Sequence, residues 1–279
     1  MEQIQTILEK MKNSVPGSDF SHDQWERTRV DSFNASAGDR HLEDGYDCPI
    51  CKNKGIVMHL ETKDGWARCV TRECKCVPVR NSILRMHRSG LKDIIKDYTF
   101  GKYDDAEPWQ KSMKAAAMEY ANDPKGWFFI GGQSGSGKTH ICTAICRELL
   151  LNGRGVLYML WRDEIVPLKA MVTESADYVA AVEKYKKADV LYIDDLFKTG
   201  KDRDGKDQRP TGGDVNVAFE ILNHRYNSKL PTIISSECTT SALLDIDEAI
   251  AGRILEVAKV LNLKPDRSRN YRLRGVVNL

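Results

Sequence analysis

The 279-residue sequence contains no apolar run approaching the ~20 residues that a membrane-spanning helix needs. Its first residues, MEQIQTILEKMKNSV, lack the apolar core of a secretory signal. A strong excess of charge is also missing, because 42 basic and 40 acidic residues leave a net charge of only +2. These absences argue against a membrane protein and against one that coats polyanions with its whole surface. We expect a cytoplasmic chain in which thiols stay reduced.

Internal repeats and low-complexity tracts are absent as well. Hydrophobic residues make up 41% of the chain and charged residues 29%, which is the composition of an ordinary globular protein. A chain of this length holds one sizeable core and a small second domain. We predict a domain boundary after residue 95, so that residues 1–95 form an amino-terminal domain and residues 96–279 form the larger one.

The larger domain alternates apolar strands with amphipathic helices. Four buried strands are predicted within residues 126–132, 155–161, 189–195 and 231–237. Helical stretches separate the strands, including residues 214–228 between the third and the fourth. This alternation predicts an α/β fold in which helices flank a parallel sheet.

A phosphate-binding loop follows the first of these strands. The stretch GQSGSGKT fits G-x-x-x-x-G-K-[ST] in full and lies between an apolar strand and an amphipathic helix. Glycines let backbone N–H groups curl around phosphate oxygens, to which the helix N-terminus presents its positive dipole end. Lys138 can reach the β- and γ-phosphates, and the Thr139 hydroxyl can ligate Mg²⁺. We therefore predict a site for ATP and Mg²⁺ formed by Gly132, Gln133, Ser134, Gly135, Ser136, Gly137, Lys138, Thr139 and His140.

Two adjacent acids end the third strand, VLYIDD. In a P-loop protein a carboxylate at this strand end completes the Mg²⁺ shell, and a second carboxylate can activate the attacking water. We assign the metal role to Asp194 and the general-base role to Asp195. A P-loop kinase of small molecules needs no water-activating base, so the pair favours an ATPase of the additional-strand type.

The fourth strand, PTIISSE, is expected between the P-loop strand and the VLYIDD strand. Its polar end would then face the γ-phosphate, and the candidates to sense it are Ser235, Ser236 and Glu237, of which Ser236 is our choice. Farther along, Arg253 lies on a predicted helix, from which it can reach the γ-phosphate of a neighbouring subunit.

Five of the eight cysteines fall between positions 48 and 76. Cys48-x-x-Cys51 is a good half-site for zinc, because two residues between thiolates fit the turn of a zinc knuckle. The second half is open from the residues alone, and the candidates are Cys69, Cys74, Cys76 and His59. Buried free cysteines and an iron–sulfur site are the competing interpretations. A segment of ~30 residues, about 46–77, cannot bury enough core to fold unaided, so metal binding would supply its folding energy.

Four stretches in this order resemble the AAA+ helicase loaders of the DnaC/DnaI type, especially phage-encoded members. They are CPICKNKG…CKC, GQSGSGKTH, YIDDLFK and ILNHRY…PTIISSE…DEAIAGRI. The resemblance runs from roughly residue 46 to the end of the chain. It implies ATP-dependent delivery of a hexameric replicative helicase onto single-stranded DNA, by a loader that forms homo-oligomers on the helicase.

The same resemblance implies roles for individual residues. The cysteine pattern of the family is C-x-x-C followed by C-x-C, so the implied Zn²⁺ ligands are Cys48, Cys51, Cys74 and Cys76, with Cys69 as the alternative. The zinc module would grip the helicase. Arg253, within AGRI, matches the position of the family's arginine finger.

Two features depart from the family. The first sensor is Asn in many AAA+ proteins, whereas this strand ends in Ser-Ser-Glu. Only 26 residues follow Arg253, too few for the helical lid that usually carries a second sensor arginine. Arg269 and Arg272 are candidates to replace that arginine, and a surface role is the alternative for both.

Two basic stretches are candidates for DNA contact. The loop of residues 197–214 carries cations that can contact phosphates, although acidic residues between them dilute the charge: Lys198, Lys201, Arg203, Lys206 and Arg209. The second stretch is Arg80–Arg88. Sequence preference is not expected from either, since phosphate contacts carry none.

Two other functions are compatible with these motifs. An IstB-type transposition helper has a similar AAA+ core but typically lacks a cysteine module. A nucleotide-gated DNA-binding protein with little hydrolysis is the other alternative, and the acidic pair argues against it.

Overall fold

The computed structural model describes residues 22–63, 65–86, 94–173, 175–200 and 208–273. Contacts divide the chain into two compact units, residues 1–77 and 78–279. The domain boundary predicted from the sequence lies farther along, after residue 95. Helix α3 (Cys76–Met86) begins at the end of the first unit.

The first unit contains a long helix, a short helix and a hairpin. These elements are α1 (His22–Ala35), α2 (His41–Asp44), β1 (Ile56–Lys63) and β2 (Trp66–Glu73). The two strands pair antiparallel, with Lys63 opposite Trp66, and Gly65 in the turn has a φ of +79°, which favours glycine. Neither the hairpin nor α1 is predicted from the sequence.

Helix α1 is held to the hairpin by polar contacts. The Asn34 amide donates to the carbonyl of Met58 at 2.8 Å and accepts from its N–H at 3.0 Å. Glu26 accepts a bond from the N–H of Cys69 at 3.1 Å. Polar side chains, not apolar ones, therefore make these contacts with the hairpin. The helix lacks the hydrophobic periodicity by which amphipathic helices are predicted.

The second unit is built on a five-stranded parallel sheet with the order β4-β5-β6-β3-β7. Its strands are β3 (Trp127–Gly131), β4 (Val156–Leu160), β5 (Val190–Leu196), β6 (Thr232–Ser236) and β7 (Ala258–Asn262). Nearly every side chain of β3, β5 and β6 is buried, as expected for parallel strands covered on both faces. The predicted position of β6 between β3 and β5 is confirmed, as is the predicted P-loop α/β fold.

The second unit also contains the helices that cover the sheet. They are α4 (Ile94–Asp97), α5 (Pro108–Asn122), α6 (Lys138–Leu151), α7 (Trp161–Ala170), α8 (Ser175–Lys187), α9 (Gly212–Asn227), α10 (Thr240–Ile246) and α11 (Glu248–Val257). Their apolar faces and the sheet form one large core that includes Trp127, Trp161 and Ile193. In the part of the chain that the structure describes, no α-helix follows β7.

Candidate functional site

The phosphate loop joins the end of β3 to the start of α6. Gly137 directly precedes α6 with a φ of +84°, and Gly135 has a φ of +77°. Residues with a side chain rarely adopt this conformation, so glycine permits the tight curl before the helix. The loop therefore presents backbone N–H groups at a helix N-terminus, which is an arrangement suited to phosphate.

Lys138 is buried inside this loop and faces neutral partners. Its ammonium group donates to the carbonyls of Gly132 and Gln133, both at 2.8 Å. Burial lowers the pKa of Lys138, and the negative charges of Asp195 and Glu237 oppose that effect. A buried cation held only by carbonyls leaves its charge available to an anionic ligand.

Asp194 is almost fully buried and is surrounded by hydroxyl groups. Its carboxylate accepts bonds from Tyr192 at 2.7 Å, Tyr158 at 3.1 Å, Thr139 at 3.3 Å, and Ser235. Burial and the charge of Asp194 raise the pKa of both tyrosines, so they remain donors. Thr139 and Asp194 thus lie side by side as hard oxygen donors, and these donors fit Mg²⁺.

Asp195 leaves the regular strand. Its φ is +56°, and the pairing of β5 with β6 is interrupted between Ile193 and Leu196. This irregularity turns the carboxylate to Lys198, whose ammonium group lies 2.7 Å from Asp195 and 3.0 Å from Glu237. Burial opposes charge on Lys198, but its bonds with both carboxylates raise its pKa.

The two serines at the polar end of β6 point to opposite faces of the sheet. Ser235 donates to Asp194 and accepts a bond from the N–H of Asp195 at 2.9 Å. Ser236 instead donates to the carbonyl of Leu196 at 2.7 Å, because successive strand residues point to opposite faces. Of the three candidates, Glu237 lines the cavity of the site, Ser235 contacts both acids from behind it, and Ser236 does neither.

A cavity of about 310 Å³ lies in front of the phosphate loop. Asp195, Lys198 and Glu237 line it together with residues of the loop, and His140 stacks on Tyr98 with ring centroids 4.5 Å apart. Partial burial lowers the pKa of His140, while a bond with the Thr99 carbonyl opposes that effect. Five further residues line the cavity and are not predicted from the sequence: Tyr98, Lys102, Tyr103, Asp104 and Tyr271.

Residues 263–273, named here the C-terminal strap, run along the outer side of the phosphate loop. Gln133 exchanges two bonds with the backbone of Asp266, and the N–H of Tyr271 donates to the Gly135 carbonyl at 2.8 Å. The Tyr271 hydroxyl donates to Asp104 across the cavity. The strap therefore couples the phosphate loop to the segment that precedes α5.

Four cysteine sulfurs of the first unit lie within 4.8 Å of one another: Cys48, Cys51, Cys74 and Cys76. The pairs Cys48–Cys74 and Cys51–Cys76 are 3.8 and 3.5 Å apart. A tetrahedral zinc with Zn–S bonds of ~2.3 Å requires sulfurs ~3.8 Å apart. The four buried thiols therefore fit a closed zinc site.

The knuckle around Cys51 favours thiolate. Burial opposes ionisation, but the N–H of Gly55 donates to the Cys51 sulfur at 3.3 Å and the neighbouring thiols add bonds, so that the pKa of Cys51 falls to about 7. Cys69 lies outside the cluster, where its thiol donates to the Glu26 carbonyl, and His59 is exposed on β1. The structure thus gathers the four favoured cysteines and leaves both alternatives out.

A protein-family model described as "IstB-like ATP binding protein" matches residues 70–275. The chain belongs to this IstB-like family. It is similar to the phage-like element PBSX protein XkdC of Bacillus subtilis, with 31% identity over 240 residues, 83% of this chain and 88% of the relative. It is also similar to the replicative helicase loader DnaC of Escherichia coli, with 24% identity over 180 residues, 63% of this chain and 69% of DnaC.

The fold has solved counterparts. A crystal structure of the DnaC helicase loader superimposes with a TM-score of 0.53 and 19% identity, over 61% of this chain and 99% of that one. The resemblance to DnaC/DnaI-type AAA+ domains that the motifs predicted is therefore confirmed for the fold and the family. Within the described residues of this IstB-like protein, no helix is long and apolar enough to cross a membrane.

The candidate arginines occupy three different places. Arg253 does not line the cavity of its own chain; its guanidinium donates to Asn223 at 2.8 and 3.1 Å and lies over the ring of Phe219. Arg272 lines the cavity and contacts Ser134 at 3.4 Å. Arg269 lies over the ring of Trp109 instead.

The basic residues that are candidates for DNA contact differ in their exposure to solvent. Arg80 is only 2% exposed, so the prediction that it contacts phosphate is wrong. The side chains of Arg85 and Arg88 lie outside the described residues, as do Lys201, Arg203 and Lys206 in the loop after β5. Arg209 is exposed, whereas Lys198 is committed to the two carboxylates of the cavity.

Proposed function

We propose that this protein is an ATP-dependent loader that delivers a replicative hexameric DNA helicase onto single-stranded DNA. The observation that carries the proposal is the presence, in one IstB-like chain, of an assembled phosphate loop with two ordered acids and of a separate unit with four clustered cysteines. The similarity to E. coli DnaC, a replicative helicase loader, supports the choice of partner.

The larger unit binds and hydrolyses ATP. Lys138 and the loop N–H groups hold the phosphates, and Thr139 and Asp194 hold Mg²⁺. Asp195 orients and deprotonates the attacking water from the rim of the cavity. A nucleotide-gated binder with little hydrolysis would not need this second acid.

The amino-terminal part of the chain, residues 1–95, docks on the helicase. Cys48, Cys51, Cys74 and Cys76 hold a structural Zn²⁺ that fixes the knuckle and the hairpin into a rigid surface. A rigid surface loses little conformational entropy on docking, which favours a stable complex.

Neighbouring loaders assemble on the helicase as a homo-oligomer. Arg253 then serves the cavity of the adjacent subunit, in keeping with its absence from the cavity of its own chain. Asn223 and Phe219 hold its guanidinium on the surface of α11 until the neighbour arrives. Arg209 and the loop after β5 contact single-stranded DNA.

A loading assay tests the proposal. The full chain is mixed with the replicative helicase of its host and circular single-stranded DNA covered by single-strand binding protein, and unwinding of an annealed oligonucleotide is measured. Wild type with ATP is expected to load the helicase, so that the oligonucleotide is displaced. Lys138→Ala is expected to load no helicase, so that the oligonucleotide stays annealed. Equal unwinding with and without the protein would contradict the proposal.

A second function is favoured by one observation, the IstB-like description of the matching family model. In that case the protein acts as a transposition helper beside a transposase. Stimulation of DNA strand transfer by a transposase, with no effect on helicase loading, would select this alternative.

A further inference from the structure

Lys198 connects the ends of two adjacent strands inside the nucleotide cavity. Its ammonium group lies 2.7 Å from Oδ2 of Asp195, the penultimate residue of β5, and 3.0 Å from Oε1 of Glu237, which follows β6. All three side chains line the cavity and are partly shielded from solvent, with exposed fractions between 19% and 33%. This shielding distinguishes the bridge from exposed surface pairs, which contribute little.

The backbone is shaped to bring Lys198 back to Asp195. Asp195 and Phe197 have φ values of +56° and +62°, which residues with side chains rarely adopt. A tight turn follows, because the N–H of Lys198 donates to the carbonyl of Asp195 at 2.9 Å. Such strain persists only where its surroundings hold it in place, and it is common at functional sites.

The two lysines of the cavity have different partners. Lys138 is bonded to two neutral carbonyls, whereas Lys198 is bonded to two carboxylates. The charge of Lys138 is therefore available to phosphate, while that of Lys198 is already compensated. Binding phosphate at Lys198 would require breaking two charged bonds.

We propose that Lys198 is a positioning residue for ATP hydrolysis: it holds one oxygen of Asp195 so that the other accepts the proton of the attacking water, and Glu237 in turn holds Lys198. The inference rests on the proposed role of Asp195 as general base. Misplacing a base by about 1 Å can reduce a rate by about a hundredfold, so a side chain that fixes its direction has a measurable effect.

The test combines steady-state hydrolysis with direct binding of a fluorescent ATP analogue to the full chain. Lys198→Met is expected to lower kcat at least about tenfold while changing the nucleotide Kd less than about twofold, and Lys198→Arg to recover most of the rate. Glu237→Gln is expected to give a smaller loss, and the double variant to lose no more than Lys198→Met alone. The control is Lys187→Met, which breaks an exposed pair with Glu183 on α8 and is expected to change nothing.

Other outcomes overturn the inference. A raised nucleotide Kd with unchanged kcat in Lys198→Met would make Lys198 a phosphate ligand, and a raised kcat would make it a restraint on the base. Independent effects of Lys198→Met and Glu237→Gln would remove the link between them. If Asp195→Asn hydrolyses ATP at the wild-type rate, the assignment of the base in the proposed function fails instead, whatever the lysine does.

Discussion

Ser235 donates its hydroxyl hydrogen to the carboxylate of Asp194 across the adjacent strands β6 and β5. The same oxygen accepts a bond from the N–H of Asp195. One hydroxyl group thus fixes the positions of both acids that the proposed chemistry uses. The arrangement exists because β6 lies between β3 and β5, which places the end of β6 directly beside the acidic strand.

Replacing Ser235 by alanine is expected to reduce both hydrolysis and stability. The change removes one donor to Asp194 and leaves the N–H of Asp195 without its acceptor, which costs about 1–3 kcal/mol. We expect ATP turnover to fall by about tenfold, since a displaced acid affects the rate directly. Chemical denaturation and steady-state turnover measure the two effects.

Thr232→Val is the matched control, because Thr232 also lies on β6 and its hydroxyl accepts a bond from Arg225 at 2.9 Å. It is expected to lose stability without losing turnover per folded molecule. Equal loss of turnover in both variants would show that Ser235 acts only through the stability of the strand.

The zinc assignment predicts a difference between two cysteines of the same segment. Cys74→Ser removes one of the four clustered thiols and is expected to abolish zinc binding, whereas Cys69→Ser removes a thiol outside the cluster and is expected to retain it. Metal content of the purified variants, measured by mass spectrometry, decides the matter. One zinc per chain is expected in the wild type; visible absorption from an iron–sulfur cluster would contradict the assignment.

The contact between Tyr271 of the C-terminal strap and Asp104 is expected to slow the release of bound nucleotide. Tyr271→Phe removes only the hydroxyl group that bonds to Asp104 across the cavity. One such bond contributes about 1 kcal/mol, so a fluorescent ATP analogue is expected to dissociate about fivefold faster from the variant. Tyr178→Phe loses a comparable hydroxyl bond, to Glu220 on α9, and serves as the control. Unchanged dissociation from Tyr271→Phe would show that the strap does not close the cavity.

His140 predicts a loss of stability in mild acid. Because partial burial lowers its pKa below the ordinary value of about 6.5, the unfolded chain takes up the proton first as the pH falls. The stabilising contribution of neutral His140 is therefore present above about pH 6.5 and is lost below it. The melting temperature of wild type is expected to decrease more between pH 7.5 and 5.5 than that of His140→Gln. Parallel decreases in the two proteins would contradict this role.

Local chemistry explains why much of the site was predictable. The phosphate loop occupies eight consecutive positions, and the acidic pair ends a strand whose apolar run is easily read. Parallel strands then bring both to the same edge of the sheet. The cysteine cluster followed from spacing together with the family pattern.

The remaining features depend on contacts between distant parts of the chain. Tyr271 and Asp104 are in contact although they are 167 residues apart in the sequence, and no local pattern marks either residue. Strand β7 lies at the edge of the sheet, where partial exposure interrupts the apolar run. Arg225 is fully buried and bonds to five acceptors, although a single arginine on a helix is typical of a solvated face: Thr232, Tyr185, Lys186, Ala188 and Pro231.

Capture of the host's replicative helicase by the immobilised full-length chain tests the two-module account most directly. Wild type and Lys138→Ala are expected to capture the helicase alike, because the docking surface does not need the phosphate loop. Cys74→Ser is expected to lose capture while its ATP binding persists, because only the cysteine cluster is changed. Equal capture by Cys74→Ser, after loss of its zinc has been verified, would contradict the account.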